Sequence, residues 1–494
     1  MRFNIFNKKP TTLSSESQKA LEWIEANIID GKGIAITSKK KVNYPEVTGY
    51  TIPTLNQWGE KDLARNLTNW LIQQQNDTGS FSAPDGTPYT FDTGQVIRGF
   101  VAALNDMPEV ENPLRKACDW ILTQIQRDGR LSTPSTEMWG NIADDRIHLY
   151  VLPPLIDAGK KLNEPRYIDA AHRVLIYYKQ RKDLTEFNTL SHFIAYIIEA
   201  LCDLGEIELA RAAMKEVVSL QRKDGSIPAY KNVSWVCSTG VAQFALIWYK
   251  LGMKENADKA MHYLETIQNR SGGFYGSYGK GADYFPKEEI SWAVKFFLDA
   301  NHWKIKTAFD KEVNIFSDSI DEKDGRVQEI LSFLGDVNDK KVIDVGCGKG
   351  RYLKILKERY PKSILYGVDI SEKMLSFCPK EIETVSGSLL DIPYPDVFFD
   401  CVYSVEALEH AIMTENAIKE MVRVLKPEGN IIIIDKNKNM FGKLKLEPWE
   451  QWFNPKEIIS LLQRYDVEAH YKPITYGTQT QSDGLFISWT GIKK

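Results

Sequence analysis

The sequence predicts two domains of different fold class: an all-α ring of six helical hairpins, the (α/α)6 toroid, over residues 1–303, and an α/β Rossmann-like domain with an antiparallel edge hairpin over 324–494. Three observations carry this prediction. The N-terminal residues repeat with a single period. A charged connection with little periodicity follows at 304–323. After it, short β-branched runs alternate with helical stretches, which is the pattern of a parallel sheet.

Four of the six repeat units carry a Gln, a Gly three or four residues later, and an apolar residue two positions further on. The other two are degraded: the unit before Ile34 lacks the Gln, and the unit at Gln180 has Leu184 in place of the Gly. Each Gln ends an amphipathic helical pattern, and a polar turn and a more apolar helix follow. These second helices are predicted to begin 45, 52, 45, 49 and 51 residues apart, at Thr48, Thr93, Asp145, Leu190, Thr239 and Ile290. Such hairpins pack with the apolar helices inside, and six of them can close a ring. An open superhelix is the alternative.

Composition and charge exclude several classes of protein. Apolar residues make up 43% and charged residues 26%, which fits a folded chain and not a disordered one. The formal net charge of −4 provides no field that would attract nucleic acid. The six cysteines are scattered singly, as in a reducing compartment, and no apolar run matches a signal peptide or a membrane span. We therefore expect a cytoplasmic protein without a nucleic-acid partner or a membrane span.

A glycine-rich turn opens the C-terminal domain. Asp344 ends a predicted strand, Gly346, Gly348 and Gly350 follow before a helix, and Asp369 ends the next strand. Glycines let the backbone approach a nucleotide, and the second acid can accept both ribose hydroxyls. The third glycine comes one residue earlier than in G-x-G-x-x-G, and the acid at the first strand end suits a cationic ligand better than a diphosphate. An NAD-type site is the alternative.

This segment resembles motif I of class I S-adenosylmethionine-dependent methyltransferases, whose pattern is (D/E)xGxGxG. The stretches GVDIS, GSLLDIPYPDVFFD, VEALEH and MVRVLKPEGNIIII match the remaining motifs, so the resemblance covers 324–494. It implies S-adenosylmethionine as cofactor, no metal, and cofactor contacts from Asp344, Gly346, Cys347, Gly348, Gly350, Asp369, Ile370, Ser388, Leu389, Asp391 and Ser404. Ser388 stands where the family usually has an Asp that contacts the adenine amino group. That contact then passes to Ser388, to the Leu389 backbone or to Asp391.

Methyl transfer to a hydroxyl requires a base that removes its proton. His410 follows the fourth predicted strand, where the carboxyl ends of the sheet face the ligand, and imidazole is suited to general-base work. In the family a His at this position often packs and does not react. Glu406 and Glu409 are the alternatives.

The N-terminal repeats are similar to the QW-type repeats of the prenyltransferase, squalene and terpene cyclase toroids. In that family the Gln and the aromatic residue tie an outer helix to the start of the next inner one, so the resemblance implies the fold and not the reaction. The cyclases use a DxDD motif, and this chain has Ile142 where the first Asp would stand. The zinc-ligand context of the protein prenyltransferases is not found around Cys237.

Polar residues collect at the predicted starts of the inner helices, and helix capping explains several of them individually. If the ring closes, they converge on one mouth. We expect a small-molecule or glycan acceptor to be bound there, and by two tryptophans of a lysine-rich segment, through Asp92, Gln95, Asp144, Asp145, His148, His192, Trp449 and Trp452. The predicted function is O-methylation of a sugar or glycan precursor in surface-polysaccharide biosynthesis.

Two other functions stay open. In one, the toroid is itself a lyase, hydrolase or epimerase acting on a uronate, with Asp92 working together with Asp144 or Asp145. In the other, the acceptor is an isoprenoid or another lipophilic small molecule, and the toroid provides an apolar pocket.

Overall fold

The computed structural model describes residues 13–132, 145–444, 450–479 and 481–494. The chain forms two compact units. We call Glu16–Asn56 together with Glu60–Thr307 the helical unit, and the other, which is chiefly Ala308–Lys494, the C-terminal unit. Within the described ranges, no helix has the length and apolar character needed to cross a lipid bilayer.

In the helical unit, amphipathic helices alternate with helices that are buried on nearly all sides. The amphipathic set is α1 (Leu13–Ala26), α3 (Lys61–Gln74), α5 (Glu111–Thr123), α7 (Pro165–Lys179), α9 (Ile207–Leu220) and α11 (Lys254–Ile267). The buried set is α2 (Pro45–Gln57), α4 (Thr90–Ala103), α6 (Leu152–Lys161), α8 (Ser191–Asp203), α10 (Ser238–Lys250) and the first half of α12 (Ser291–Glu312). Two short strands, β1 (Val236–Cys237) and β2 (Ser277–Tyr278), pair antiparallel. Because α12 runs to Glu312, the first part of the predicted connection at 304–323 is helical.

Three of the repeated Gln side chains, Gln75, Gln221 and Gln268, tie one amphipathic helix to the next amphipathic helix, and not to the next buried one as the family resemblance implied. Gln126 donates to the Gln124 carbonyl instead. Gln75 Nε2 donates to the carbonyl of Pro113 in α5 at 2.8 Å, and Gln221 makes the equivalent contact with α11. The following Gly79 has a φ of +93°, and a Cβ there would lie 2.3 Å from the Lys116 carbonyl oxygen. Glycine is therefore required for this close approach of helices.

The last pair of helices contacts the first through the same device. Gln268 Nε2 donates to the carbonyl of Glu16 in α1 at 2.9 Å. The indole Nε1 of Trp292 in α12 donates to Glu46 Oε2 in α2 at 3.0 Å. The first and last hairpins of the helical unit are neighbours.

The third buried segment is not one continuous helix, although the sequence predicts a helix from Asp145. A 3-10 helix, Asp145–Val151, precedes α6, which begins at Leu152. Pro154 has no N–H and cannot donate to the carbonyl of Tyr150. The Arg98 Nη2 donates to that carbonyl instead, at 3.2 Å.

The C-terminal unit is a mixed seven-stranded sheet with helices along it. Its strands are β3 (Lys341–Val345), β4 (Ile364–Asp369), β5 (Glu383–Ser386), β6 (Phe399–Val405), β7 (Leu425–Lys436), β8 (Val467–Ile474) and β9 (Phe486–Lys493). Its helices are α13 (Gly325–Leu334), α14 (Arg351–Arg359), α15 (Glu372–Leu375), α16 (Thr414–Val424) and α17 (Pro455–Arg464). The strand order is β5-β4-β3-β6-β7-β9-β8, and β9 is antiparallel to both neighbours. The predicted Rossmann-like sheet and its antiparallel hairpin are confirmed.

The sheet order reverses at β3, which has β4 on one side and β6 on the other. Ligands of open α/β sheets bind at such a point, beyond the carboxyl ends of the strands. The central strands are fully buried, as in the run Ile431–Ile434 of β7, so the turns that follow them start from rigid positions.

Candidate functional site

A crevice of about 520 Å³ lies beyond the carboxyl ends of β3, β4, β6 and β7 in the C-terminal unit. The turns after these strands supply its floor, and residues 309–317 supply part of its wall. Lys349 fixes this wall, because its Nζ donates to the Phe316 carbonyl at 2.8 Å and to Asp318 Oδ1 at 2.5 Å.

The glycine turn after β3 needs its glycines. Gly346 has a φ of +83°, and a Cβ there would lie 2.3 Å from the Cβ of Ala407. Gly350 has a φ of +70°, and its Cβ would lie 2.9 Å from the Cys378 sulfur. At Gly348 a Cβ would meet no atom within 4 Å. The turn is therefore packed tightly at its ends and has open space at its middle, on the wall of the crevice.

Asp344 is a buried acid with incomplete hydrogen bonding. It is 1% exposed, and its Oδ2 has no hydrogen-bond partner among the described residues. Burial raises the pKa of Asp344 to about 8, although the nearby Tyr403 hydroxyl and Arg351 act in the opposite direction. An acid in this state gains from a cation that reaches it.

Asp369 holds the glycine turn and the start of the next helix together. Its Oδ2 accepts from the Gly348 N–H at 2.8 Å, and its Oδ1 accepts from the Ser371 N–H at 2.9 Å. Burial raises the pKa of Asp369, and the two backbone N–H groups oppose that effect. Each oxygen keeps a second lone pair that can accept from a ligand hydroxyl. Asp369 and Ile370 both line the crevice.

Leu389 also lines the crevice, whereas Ser388 and Asp391 do not. Ser388 and Asp391 close a tight turn, in which the Asp391 N–H donates to the Ser388 carbonyl at 3.0 Å. The Ser388 hydroxyl accepts from the Leu390 N–H at 3.1 Å. This turn places Leu389 on the wall of the crevice.

Two other predicted cofactor residues differ in their position. Cys347 lines the crevice, and the neighbouring Cys378 together with burial raises the pKa of its thiol. Ser404 is fully buried and does not line the crevice, because its hydroxyl donates to the Val345 carbonyl at 2.8 Å and joins β6 to β3.

His410 and Glu409 lie together on the crevice wall. The Nε2 of His410 is 3.3 Å from Glu409 Oε1, and its Nδ1 is buried with no hydrogen-bond partner among the described residues. Lys436 Nζ is 2.5 Å from Glu409 Oε2 and 2.5 Å from Glu450 Oε1. Burial would raise the pKa of Glu409, but His410 and Lys436 outweigh it and hold this pKa at about 2.

Glu406 is held by two arginines. Arg326 contacts its Oε2 through Nη1, and Arg351 Nη2 lies 3.2 Å from the same oxygen. Arg326 is itself fixed by Asp324, which accepts from its Nη2 at 2.7 Å. Lys436, Glu450 and the two arginines were not predicted from the sequence. For Lys436 a signal was available, because this lysine directly follows the buried run IIIID.

Of the two predicted tryptophans, Trp452 is the one that the structure describes. Trp452 is 5% exposed, packs in the core of the C-terminal unit, donates from Nε1 to Glu450 Oε1 at 3.2 Å and does not line the crevice. Trp452 therefore has a structural role here, and not the expected role of binding the acceptor. Trp449 lies outside the described residues.

The helical unit contains a separate, smaller cavity of about 50 Å³. Asp92 and His192 line it, as predicted, but Gln95, Asp145 and His148 do not. Asp145 pairs with Arg181 at 2.7 Å, and Gln95 and His148 are buried in the core. Asp144 lies outside the described residues.

The polar groups of this cavity are held by neutral hydrogen-bond partners. Tyr44 donates to Asp92 Oδ2 at 2.9 Å, and His192 Nδ1 is 2.6 Å from Gln243 Oε1. Burial lowers the pKa of His192 to about 4 and raises the pKa of Asp92 well above its usual value. Glu46 also lines the cavity. It stands at the start of α2, as Asp92 stands at the start of α4.

Residues 343–433 match the family model described as a methyltransferase domain. The chain is 27% identical over 158 residues to 2-phytyl-1,4-beta-naphthoquinone methyltransferase of Arabidopsis thaliana, covering 30% of this chain and 60% of that protein. It is 26% identical over 153 residues to a fatty-acid O-methyltransferase of Mycolicibacterium smegmatis, covering 30% and 54%. The match thus spans less than two thirds of either relative.

A solved structure described as a novel alpha-amylase from Clostridium perfringens aligns with 59% of this chain and 98% of that chain, at 18% identity and a TM-score of 0.47. At that TM-score the likeness supports no conclusion about activity.

The residues of the crevice fit S-adenosylmethionine, which carries a sulfonium and an ammonium group. Asp344 directly precedes the glycine turn and does not itself line the crevice, but its unpartnered Oδ2 suits a cationic group. The open middle of the glycine turn leaves the backbone accessible. The spare lone pairs of Asp369 suit vicinal hydroxyls.

Proposed function

We propose that this chain, whose C-terminal region is a class I methyltransferase domain with S-adenosylmethionine as cofactor, transfers a methyl group to a hydroxyl of a sugar or glycan precursor. The observation that carries the transfer to a hydroxyl is the pair formed by Glu409 and His410 on the crevice wall, with His410 Nδ1 unpartnered.

The bound cofactor supplies an electrophilic methyl group for an in-line displacement, so the chain has to align the acceptor and remove its proton. Glu409 is ionised, because its pKa is held at about 2, and it accepts a hydrogen bond from His410 Nε2–H. This fixes the tautomer in which Nδ1 carries the lone pair. His410 Nδ1 then accepts the hydroxyl proton while the oxygen attacks, and Glu409 stabilises the imidazolium that forms.

The other two acids are held by cationic side chains. Arg326 and Arg351 both contact Glu406 Oε2, and Glu409 pairs with Lys436 as well as His410. The pKa of Glu409 is held at about 2, so Glu409 has little affinity for a proton. This supports His410 as the base and Glu409 as its positioning residue.

For the cofactor itself, we assign Asp344 to the ammonium group and Asp369 to the ribose hydroxyls. Leu389 is the residue of its turn that lies on the crevice wall, which supports its backbone as the contact for the adenine. Ser388 and Asp391 shape that turn, and Ser404 joins two strands.

We also propose that residues 1–303 are an (α/α)6 toroid that binds the acceptor, joined through 304–323 to the methyltransferase domain at 324–494. The contact of the last hairpin with the first, through Gln268 and Glu16, supports a closed ring over an open superhelix. The unpaired thiols of all six cysteines support a cytoplasmic location.

A lipophilic acceptor is the second candidate. The relatives' names, a naphthoquinone methyltransferase and a fatty-acid O-methyltransferase, favour it, and so does the aromatic character of the cavity. A uronate reaction that pairs Asp92 with Asp145 receives no such support, because Asp145 does not line the cavity and is paired with Arg181.

The test is to incubate the full chain with methyl-labelled S-adenosylmethionine and an extract of its own cells, and then to identify the labelled product. The proposal expects an alkali-stable methyl ether in saccharide material, and no label with the His410→Gln variant. Label confined to lipid would establish the second candidate instead.

A further inference from the structure

The cavity of the helical unit has two buried acids inside an aromatic enclosure. Glu46 and Asp92 are 2% and 1% exposed, and both line the cavity. The cavity is also lined by the rings of seven residues: Tyr44, Tyr89, Phe91, Phe193, Tyr196, Tyr284 and Trp292. Aromatic faces are negative, so the rings provide no positive charge that would stabilise a carboxylate.

Neither acid has a cationic partner. Both Glu46 oxygens accept from the Trp292 indole N–H, at 3.0 and 3.3 Å, and one Asp92 oxygen accepts from Tyr44. In the described parts of the chain, no Lys, Arg or His nitrogen forms an ion pair with Glu46 or Asp92. The cation that affects Glu46 from a distance is Lys295, whose Nζ pairs with Asp299 at 2.6 Å.

Other buried acids of the same unit are compensated. Glu199 is 3% exposed and has Lys250 at 3.1 Å. Burying two adjacent acids without such a partner destabilises the folded chain, unless a ligand supplies the compensating positive charge. The space is suited to a small group, because about 50 Å³ holds roughly four water-sized atoms.

We propose that this cavity binds a small organic cation, a quaternary ammonium or a protonated alkylamine, with the aromatic rings around the charged group and with Glu46 and Asp92 as its counter-ions. Enclosure by aromatic faces is a favourable environment for a weakly hydrated ammonium group. This inference goes beyond the methyl transfer and does not depend on it, since every residue used belongs to the helical unit.

Binding of a cation is expected to release protons. Burial raises the pKa of Glu46 to about 8, so Glu46 holds a proton at pH 7. Burial also raises the pKa of Asp92, and a cation favours the ionised form of each acid. The other titratable and charged groups that face them are Asp85, Tyr44, Tyr50, Tyr196, Tyr284, His192 and Lys295. His192 is neutral at pH 7, because burial lowers its pKa to about 4, and the tyrosines facing Glu46 keep their protons because burial raises their pKa values.

The experiment is calorimetric titration of the full chain with choline and with 3,3-dimethyl-1-butanol, which has the same shape and no charge. We expect choline to bind at least about tenfold more tightly than the alcohol. At pH 7 the binding enthalpy of choline should differ between phosphate and Tris buffers, because protons are released to the buffer. Equal affinities for the two ligands, or no binding of millimolar choline by a chain that binds S-adenosylmethionine, would overturn the proposal.

Two variants sharpen the test. Glu46→Gln and Asp92→Asn keep shape and hydrogen bonding, and each should weaken choline binding at least about tenfold and reduce the proton release. Glu109→Gln, at an exposed acid outside the cavity, is the matched control and should bind choline like the original chain. Binding of methyl glucoside in place of choline, without proton release, would contradict a cation site and would favour a neutral saccharide.

Discussion

In the C-terminal unit, the crevice acids Glu406 and Glu409 lie against arginines, a lysine and a histidine. In the helical unit, Glu46 and Asp92 lie among aromatic rings, and no Lys, Arg or His of the described residues forms an ion pair with them. The pKa of Glu409 is held at about 2 by His410 and Lys436, while burial raises that of Glu46 to about 8. Glu409 and Glu46 are both buried, so burial alone does not explain the difference between their pKa values. The charged partners of Glu409 explain it.

The difference separates two uses of a buried acid. A compensated acid organises its neighbours, as Glu409 does with His410. An uncompensated acid can ionise when a ligand supplies a positive charge, and Asp344, which directly precedes the glycine turn and does not itself line the crevice, is of this second kind. Asp344, Glu46 and Asp92 are therefore assigned to cationic ligands, and Glu406 and Glu409 are assigned to the protein's own side chains.

Replacing the base should have the largest effect. For His410→Gln we expect kcat for methyl transfer to fall about 100- to 10,000-fold, because no group then accepts the hydroxyl proton. The dissociation constant of S-adenosylmethionine should not change. His470→Gln, at an exposed position on β8, is the control for a histidine outside the crevice. Transfer of the labelled methyl group measures the activity of both variants. Full activity of His410→Gln would show that the pair of Glu409 and His410 takes no part in catalysis.

Removal of the ribose acid should come next. Asp369→Ala is expected to raise the dissociation constant of S-adenosylmethionine at least tenfold, or about 1.4 kcal/mol. The loss includes the two backbone hydrogen bonds that Asp369 accepts in the glycine turn. Calorimetry should find Glu381→Ala, an exposed acid, unchanged. Unchanged affinity in Asp369→Ala would refute this placement of the ribose.

The pH dependence of stability should have opposite signs in the two pockets. The folded-state pKa of Glu46, about 8, is above its ordinary value of 4.5, so its stabilising contribution is complete below pH 4.5 and is lost as pH rises to 8. The pKa of Glu409, about 2, is below that value, so its contribution is present above pH 4.5 and is lost as pH falls to 2. The slopes approach about 1.4 kcal/mol per pH unit between those limits.

Thermal unfolding therefore compares each variant with the original chain at two pH values. Glu46→Gln should stabilise the chain more at pH 8 than at pH 5. Glu409→Gln should destabilise it more at pH 6 than at pH 3. The same sign for both variants would contradict the contrast between the pockets.

The smallest effect is expected at Ser388. Its hydroxyl accepts from the Leu390 N–H and is not on the crevice wall, so Ser388→Ala should change cofactor affinity by less than about threefold. Equilibrium binding measures this, with Asp369→Ala as the positive control. A loss of cofactor affinity as large as that of Asp369→Ala would indicate that Ser388 contacts the adenine.

Much of the framework could be predicted from the sequence because local patterns determine it. The glycine turn, the acid at the end of β4 and the hairpin of β8 and β9 follow from spacing and alternation. The starts of the buried helices lie within a few residues of those predicted, except at Pro154, where the missing N–H delays α6 to Leu152.

The partners of the site residues could not be predicted. Arg326 and Lys436 are distant in sequence from the acids they neutralise, and no local pattern indicates such pairing. Trp452 was assigned to the acceptor because it follows a lysine-rich segment, but the sheet buries it in the core. Ser404 was assigned to the cofactor from its strand end, and its hydroxyl bonds to the neighbouring strand instead.

The most direct test is calorimetric titration of the full chain with S-adenosylmethionine, with Asp344→Asn as the variant. The account predicts one site per chain, affinity that increases from pH 6 to pH 8 as Asp344 ionises, and at least about tenfold weaker, nearly pH-independent binding in Asp344→Asn. No heat with S-adenosylmethionine, or heat with NAD in its place, would contradict it.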